Sequence, residues 1–281
     1  MASEALKALV LGAVQGLTEF LPVSSSGHLV VLQRLLDFSE PPVLTTVVLH
    51  VGTLLATAVV FRRDLARLAV SVPAALSRRS ASDPDARLLL LLAAGSVPTA
   101  ALGLLFRDAF ERAFSSLFAV GIGFLATASI LGATRLARAG ASGRTAAAMR
   151  LTDALAIGLA QGVAIAPGVS RSGATIAVAL LLGLDRDLAG RYSFLLSLPA
   201  VLGANLLEIN FAGGLGGGGG GGAAIASAAP LLAGGLAALL SGVLALTVFM
   251  GLVRRGRIHG FAYYCLAAGI ATLVLAATGA A

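Results

Sequence analysis

Hydrophobic and polar positions along this chain sort into long apolar runs separated by arginine-rich breaks. Hydropathy read together with charge predicts six spans, at about 43–61, 88–106, 114–134, 192–211, 228–250 and 260–280. Each is close to the roughly 20 residues needed to cross a bilayer core about 30 Å thick. Two further apolar segments, 5–36 and 152–184, are too long for one span, and proline, glycine and serine interrupt each near its centre. The pattern predicts an all-α polytopic membrane protein, with six full transmembrane helices and two re-entrant helix hairpins.

The arginines orient this arrangement. Arg62, Arg63, Arg67, Arg78, Arg79 and Arg87 lie in the 62–87 loop, and Arg135, Arg138, Arg144 and Arg150 in the 135–150 loop. Arg186 and Arg191 flank a third junction, and Arg254, Arg255 and Arg257 form the last cluster. Cytoplasmic loops of polytopic proteins are enriched in Lys and Arg. All four clusters fall on one side only if segments 5–36 and 152–184 each enter and leave on the same side, the first dipping in from outside and the second from the cytoplasm. The opposite connections agree: DFSEPP at 37–42 has no basic residue, RDAFER at 107–112 is balanced, and 212–227 is uncharged. The glycine run 216–222 lacks the lysine and following Ser/Thr of a phosphate loop and reads as a linker.

An internal repeat accompanies the pattern. Shifted by 146 residues, LGAVQGLTEFLPVSSSGHL falls on IGLAQGVAIAPGVSRSGAT, pairing Gly12, Gln15 and Gly16 with Gly158, Gln161 and Gly162. Val23, Ser24, Ser26 and Gly27 pair with Val169, Ser170, Ser172 and Gly173. Each unit is an interrupted hairpin followed by three spans, and an odd number of spans makes the second unit an inverted-topology copy of the first. The chain is thus one integral membrane domain over 1–281, with repeat one at about 5–134, repeat two at about 151–280 and a cytoplasmic connection at about 135–150. Inverted repeats with broken helices place polar sites near the bilayer midplane.

Composition strengthens the membrane reading. Of 281 residues 58% are hydrophobic and 12% charged, about half the charge of a soluble domain. The net charge of +7 resides in loop arginines, which removes the case for nucleic acid. No cleavable signal peptide is evident, and the lone Cys265, in an apolar run, permits no intramolecular disulfide and reads as a small apolar residue.

The polar residues inside the hairpins carry the candidate chemistry. Gln15 and Glu19, four residues apart, share a helix face. Pro22 ends the first half-helix near Phe20–Leu21, and a serine cap restarts the chain after Ser24 or Ser25. Pro167–Gly168 and Ser170-Arg171-Ser172-Gly173 repeat this design. Each restart points a helix N-terminus, suited to phosphate, into the tip. Glu19, His28 and Arg171 join there, and intramembrane charge is a functional candidate by default. His50 reads as a histidine hydrogen-bonded to another helix and His259 as part of a basic cluster. Asp153, Glu208 and Arg34 lie near segment ends, within reach of the interface. Arginine and helix ends to hold phosphate, a carboxylate to hold a divalent metal, and serine or histidine to attack phosphorus together fit phosphoryl transfer.

QGLTEFLPVSSSGH and PGVSRSGAT closely resemble the paired motifs of the undecaprenyl-pyrophosphate phosphatase, or bacitracin-resistance, family, and the likeness in length and layout extends along essentially the whole chain. The resemblance implies hydrolysis of C55 isoprenyl diphosphate to the monophosphate and inorganic phosphate, recycling a cell-wall lipid carrier in the bacterial plasma (inner) membrane at a site open to the outer side. It also implies a divalent cation, Mg2+ or Ca2+. By motif position Gln15 and Glu19 match the metal-binding pair, with Gln15 where many relatives have glutamate. Ser25 and His28 match the essential serine and histidine, and Arg171 the phosphate-binding arginine; Ser24, Ser26, Ser170, Ser172 and Thr175 are the accompanying substrate-binding residues. Either Ser25 attacks with His28 as base, or His28 attacks directly. A polyprenyl-phosphate flippase using the same repeats is the alternative. Membrane lipid is the expected surrounding, nucleic acid is not a partner, and a homo-oligomer is compatible with the reading.

Overall fold

The computed structural model describes residues 2–35, 43–77, 83–137, 143–211 and 228–278. DFSEPP, Arg78, Arg79, Arg138 and the glycine run lie outside the described residues. Among the described residues the architecture is all-helical, and its only β pairing is an isolated bridge between Arg144 and Leu184. In chain order the helices are α1 (Ala2–Phe20), α2 (Ser25–Leu35), α3 (Val43–Val60), α4 (Arg62–Leu76), α5 (Pro84–Leu105) and α6 (Arg107–Phe114). They continue with α7 (Leu117–Ala133), α8 (Leu151–Val163), α9 (Arg171–Leu181), α10 (Arg186–Phe211), α11 (Ala228–Arg254) and α12 (Phe261–Thr278).

Five stretches among the described residues are long and apolar enough to cross a membrane: Pro84–Leu105, Leu117–Leu136, Arg186–Ile209, Ala229–Arg254 and Ile258–Thr278. A sixth is obtained by joining Thr45–Val60 to Arg62–Leu76, which meet at 81°. A multi-pass membrane protein follows. The bend corrects one expectation, because residues 62–76 are a helix rather than the start of a loop. Their arginines obscure an amphipathic pattern in which Leu68 and Ser71 are buried. Phe61 anchors the corner, buried and stacked on Phe194 with ring centroids 6.0 Å apart.

Both interruptions fall where the sequence places them. Helix α1 ends at Phe20, ahead of Pro22, and α2 begins at Ser25, where Ser24 Oγ accepts from the Gly27 N–H at 3.3 Å. Helix α8 ends at Val163, and α9 begins at Arg171, where Ser170 Oγ accepts from the Gly173 N–H at 3.1 Å. The turns differ. Gly168 takes the left-handed φ of +83° in the second, whereas Ser24 itself takes +65° in the first. A side chain in that region costs on the order of 1–2 kcal/mol, which the cap and a bond to Ser26 at 3.2 Å help to offset.

The two hairpins pack on different spans: α1 lies along α11, and α8 lies along α5. The approach is close because the contact residues are small. A Cβ on Gly12 would strike the Gly234 carbonyl, and one on Gly158 would strike the Gly95 carbonyl. Helices α7 and α12 pack together and α3 lies against both α11 and α10. Between them Phe20, Phe194 and Phe249 form a buried edge-to-face chain with centroids 5.8 and 6.2 Å apart.

The 143–150 connection contains a second departure from expectation. Asp153 is enclosed by protein rather than open at the segment end: it is buried, accepts from the Arg150 N–H at 2.7 Å, and receives Arg144 in a two-pronged bond at 2.8 and 3.0 Å. Arg144 also donates to the Leu182 carbonyl at 2.6 Å, tying the connection to the end of α9.

Candidate functional site

The two tips meet at Glu19. Its carboxylate accepts from Gln15 Nε2 at 3.1 Å, from Ser25 Oγ at 2.6 Å and, on the other oxygen, from Arg171 of the second tip. Helix α1 supplies Gln15 and Glu19 from one face, the serine cap sets Ser25 at the first position of α2, and Arg171 opens α9. The ion pair is largely buried, with Glu19 9% and Arg171 18% exposed. Taking two charges out of water is costly unless each is well bonded. Here one guanidinium nitrogen, Nη1, is buried with no partner, as is Gln15 Oε1.

Beside this cluster lies a cavity of about 670 Å³, bordered on one side by Glu19, Ser24, Ser25, Ser26, Ser170 and Arg171. Its other wall is apolar, with Leu104 of α5 and Leu206 and Leu207 of α10, all partly exposed on the outer surface of the helices. A cavity of this size with a few convergent polar groups is the usual form of a small-molecule site.

Not every expected residue faces it. Gln15 stands behind Glu19 rather than on the wall. Ser172 donates to the Leu21 carbonyl at 3.3 Å, linking the second tip to the first. Thr175 is buried against the Arg171 carbonyl at 2.8 Å and Ser193 at 2.5 Å. His28 does not line the cavity: Nδ1 bonds the Ser24 carbonyl at 2.7 Å and Nε2 bonds the Tyr264 hydroxyl at 2.5 Å. Its ring stacks on Tyr264 at 5.6 Å and meets Phe124 edge-on at 5.2 Å.

Three contributors escape a reading of the motifs. Thr127 of α7 donates to the Gly168 carbonyl at 2.9 Å while accepting from the Ser170 N–H at 2.9 Å, which holds the second tip in shape. Tyr264 fixes the His28 ring. His50 lines the cavity, and its Nδ1 makes no bond to another helix. Cys265 is buried, as expected, and its thiol also donates to the Pro22 carbonyl at 3.4 Å.

The oxygens present fit a hard divalent cation, which takes oxygen ligands. Glu19 supplies charge and Gln15 Oε1 a buried acceptor with nothing else to bond. No group of three His, Cys, Asp or Glu suited to a metal occurs among the described residues, so a ligand would have to complete the coordination.

The sequence profile described as "Bacitracin resistance protein BacA" matches residues 8–271. A protein named "Undecaprenyl-diphosphatase" from Carboxydothermus hydrogenoformans is 42% identical over 97% of this chain and 98% of its own length. One of the same name from Desulfosudis oleivorans is 45% identical over 96% and 98%, and one from Korarchaeum cryptofilum 42% identical over 97% and 99%. With both motifs at the cavity and similarity along nearly its full length, the chain belongs to the bacitracin-resistance protein family.

Proposed function

We infer that this chain hydrolyses undecaprenyl diphosphate to undecaprenyl phosphate and inorganic phosphate, recycling the lipid carrier for wall synthesis and lowering sensitivity to bacitracin. Family membership and the relatives' shared name support the activity, and nothing in the comparisons favours the flippase alternative. One observation carries the site assignment: Ser25 Oγ–H donates to Glu19 at 2.6 Å beside an arginine with a free donor.

In this reading the diphosphate enters the cavity with its terminal phosphate at the tips. Arg171 Nη1 and the first N–H groups of α2 and α9 bind phosphate oxygens. Ser25 Oγ attacks the terminal phosphorus as Glu19 takes its proton; the bridging P–O bond breaks and undecaprenyl phosphate departs. Water then attacks the phosphoserine to release inorganic phosphate and restore Ser25. This assigns the base to Glu19 and makes His28 a positioning residue that steadies Ser24. A Mg2+ or Ca2+ ion, held by Glu19 and Gln15 Oε1, would neutralise phosphate charge. The isoprenyl tail leaves past Leu104, Leu206 and Leu207 into the membrane.

The topology that suits this chemistry is an inverted repeat with re-entrant hairpins α1–α2 and α8–α9, in a bacterial inner membrane with the cavity open to the outer side. Matched capping by Ser24 and Ser170, and the docking of α1 on α11 and α8 on α5, support it. Purified protein in detergent should release phosphate from C55 diphosphate, cease to do so in chelator, and leave a trapped phosphoryl group on Ser25. Label on His28 would reverse the assignment of nucleophile, and no release with metal added would sink the phosphatase reading.

A further inference from the structure

Helix α3 is apolar around His50, with Leu49 and Val51 on either side. The imidazole nonetheless faces the same cavity as Glu19, Ser25 and Arg171. Its Nδ1 is buried without a hydrogen-bond partner, a condition that costs about 1–3 kcal/mol for a polar group removed from water. His28 provides the contrast, since protein groups engage both of its ring nitrogens. Arg171 Nη1 is a second buried donor without a partner at this cavity. Two buried nitrogens without partners therefore belong to residues of α3 and α9 that line the cavity together with Ser25. Together they suit an anion with several oxygens.

We propose that His50 is a further catalytic residue of this site, its Nδ1–H donating to an oxygen of the diphosphate and completing with Arg171 a two-point hold on the group that Ser25 attacks. The proposal rests on the roles assigned above to Glu19, Ser25 and Arg171. It leaves the reaction balance unchanged. The Ser25 Oγ–P bond forms, the bridging P–O bond breaks, the serine proton passes to Glu19, and His50 donates a hydrogen bond without giving up its proton. Arg171 shares its charge with Glu19, so a second anchor on the phosphate raises the hold on the group that Ser25 attacks. Preformed donors aimed at developing charge gain strength where water is excluded.

The test is steady-state phosphate release from C55 diphosphate by the full chain in detergent, with inorganic phosphate as competing ligand. His50→Leu keeps the bulk and removes the N–H. It should lower kcat/KM by about 100-fold, in line with loss of one such donor, and raise the inhibition constant for phosphate about tenfold, as for one hydrogen bond to a charged group. His50→Asn and His50→Gln retain a neutral N–H, and at least one should recover most of both losses. A packing role would move the melting temperature without moving the phosphate inhibition constant. Should His50→Leu fail to fold, the two amide variants against the wild type carry the comparison, and at least one must keep the wild-type inhibition constant. The proposal is overturned if His50→Leu stays within about twofold of wild type in both constants, or if neither amide improves on leucine. Glu19→Gln and Ser25→Ala measured alongside separate the two readings. Full turnover in those variants sinks the site assignment itself, whereas their inactivity beside an unaffected His50→Leu sinks only the role of His50.

Discussion

Glu19 satisfies three donors at once, and each bond has a different consequence. The bond from Gln15 orients the carboxylate, the bond from Arg171 joins the two tips, and the bond from Ser25 is the path for the serine proton in the proposed mechanism. Glu19→Gln retains the shape but removes the charge and most of the basicity. It should lower kcat by about 10²- to 10⁴-fold, the usual contribution of a general base, with a smaller change in KM. Rapid-quench turnover of the variant checks this, and a loss confined to KM would reassign Glu19 to binding. The serine caps, the break at Pro22 and the Glu19–Arg171 meeting were legible at this scale because they depend on local spacing and on matching the two copies. His50 was not. A histidine between Leu49 and Val51 has no local signature, and only the packing of α3 beside α1 brings it to the cavity.

The site depends on loops that short, capped helices hold in place. Thr127 belongs to α7, outside both motifs, yet it bonds both the carbonyl and the amide that bracket Val169. Thr127→Val keeps the shape and leaves a buried N–H unpaired, which costs about 1–3 kcal/mol; thermal unfolding in detergent should show the loss, together with reduced turnover as Arg171 loses its register. Helix α8 offers a pH-dependent case outside the spans. Burial pushes the Asp153 carboxyl up, but the bonds from Arg144 and the Arg150 amide outweigh this and hold it below the ordinary carboxylate range. A depressed acid stabilises the fold above its unfolded pKa of about 4, and that contribution fades as pH falls through the lower folded value. The melting temperatures of wild type and Asp153→Asn should therefore differ at pH 7 and converge in strong acid. A gap independent of pH would remove the linkage. The burial of Asp153 was not legible, because sequence position alone does not reveal that Arg144 folds back over it. Helix α4 was hidden for a related reason: its arginines read as loop charge until Leu68 and Ser71 are seen buried beneath them.

Across the whole molecule, close helix approach takes the place of the hydrophobic drive that lipid cannot supply. Gly158 on Gly95 and Gly12 on Gly234 are such contacts, with backbone as the obstacle, so a larger residue cannot be accommodated by turning a side chain. Gly158→Val should cost about 1–3 kcal/mol or more by overpacking and displace α8, and with it the second tip. Lower melting temperature and lost activity in the purified variant are expected, whereas the same change at Gly132, where a Cβ would meet nothing within 4 Å, should leave both intact. The helical, multi-pass character and the breaks at the two tips were legible along the chain, but which hairpin docks on which span was not. That choice is made by small residues far apart in sequence.

The docking of α1 on α11 also has a consequence for biosynthesis. Helix α1 finds its packing partner roughly 200 residues later in the chain, which at about 5–20 residues per second is a wait of roughly 10–40 s. For most of that interval Glu19 has neither Arg171 nor the glycine face of α11. Of the three donors that Glu19 has in the folded protein, only Gln15 and Ser25 are then already made.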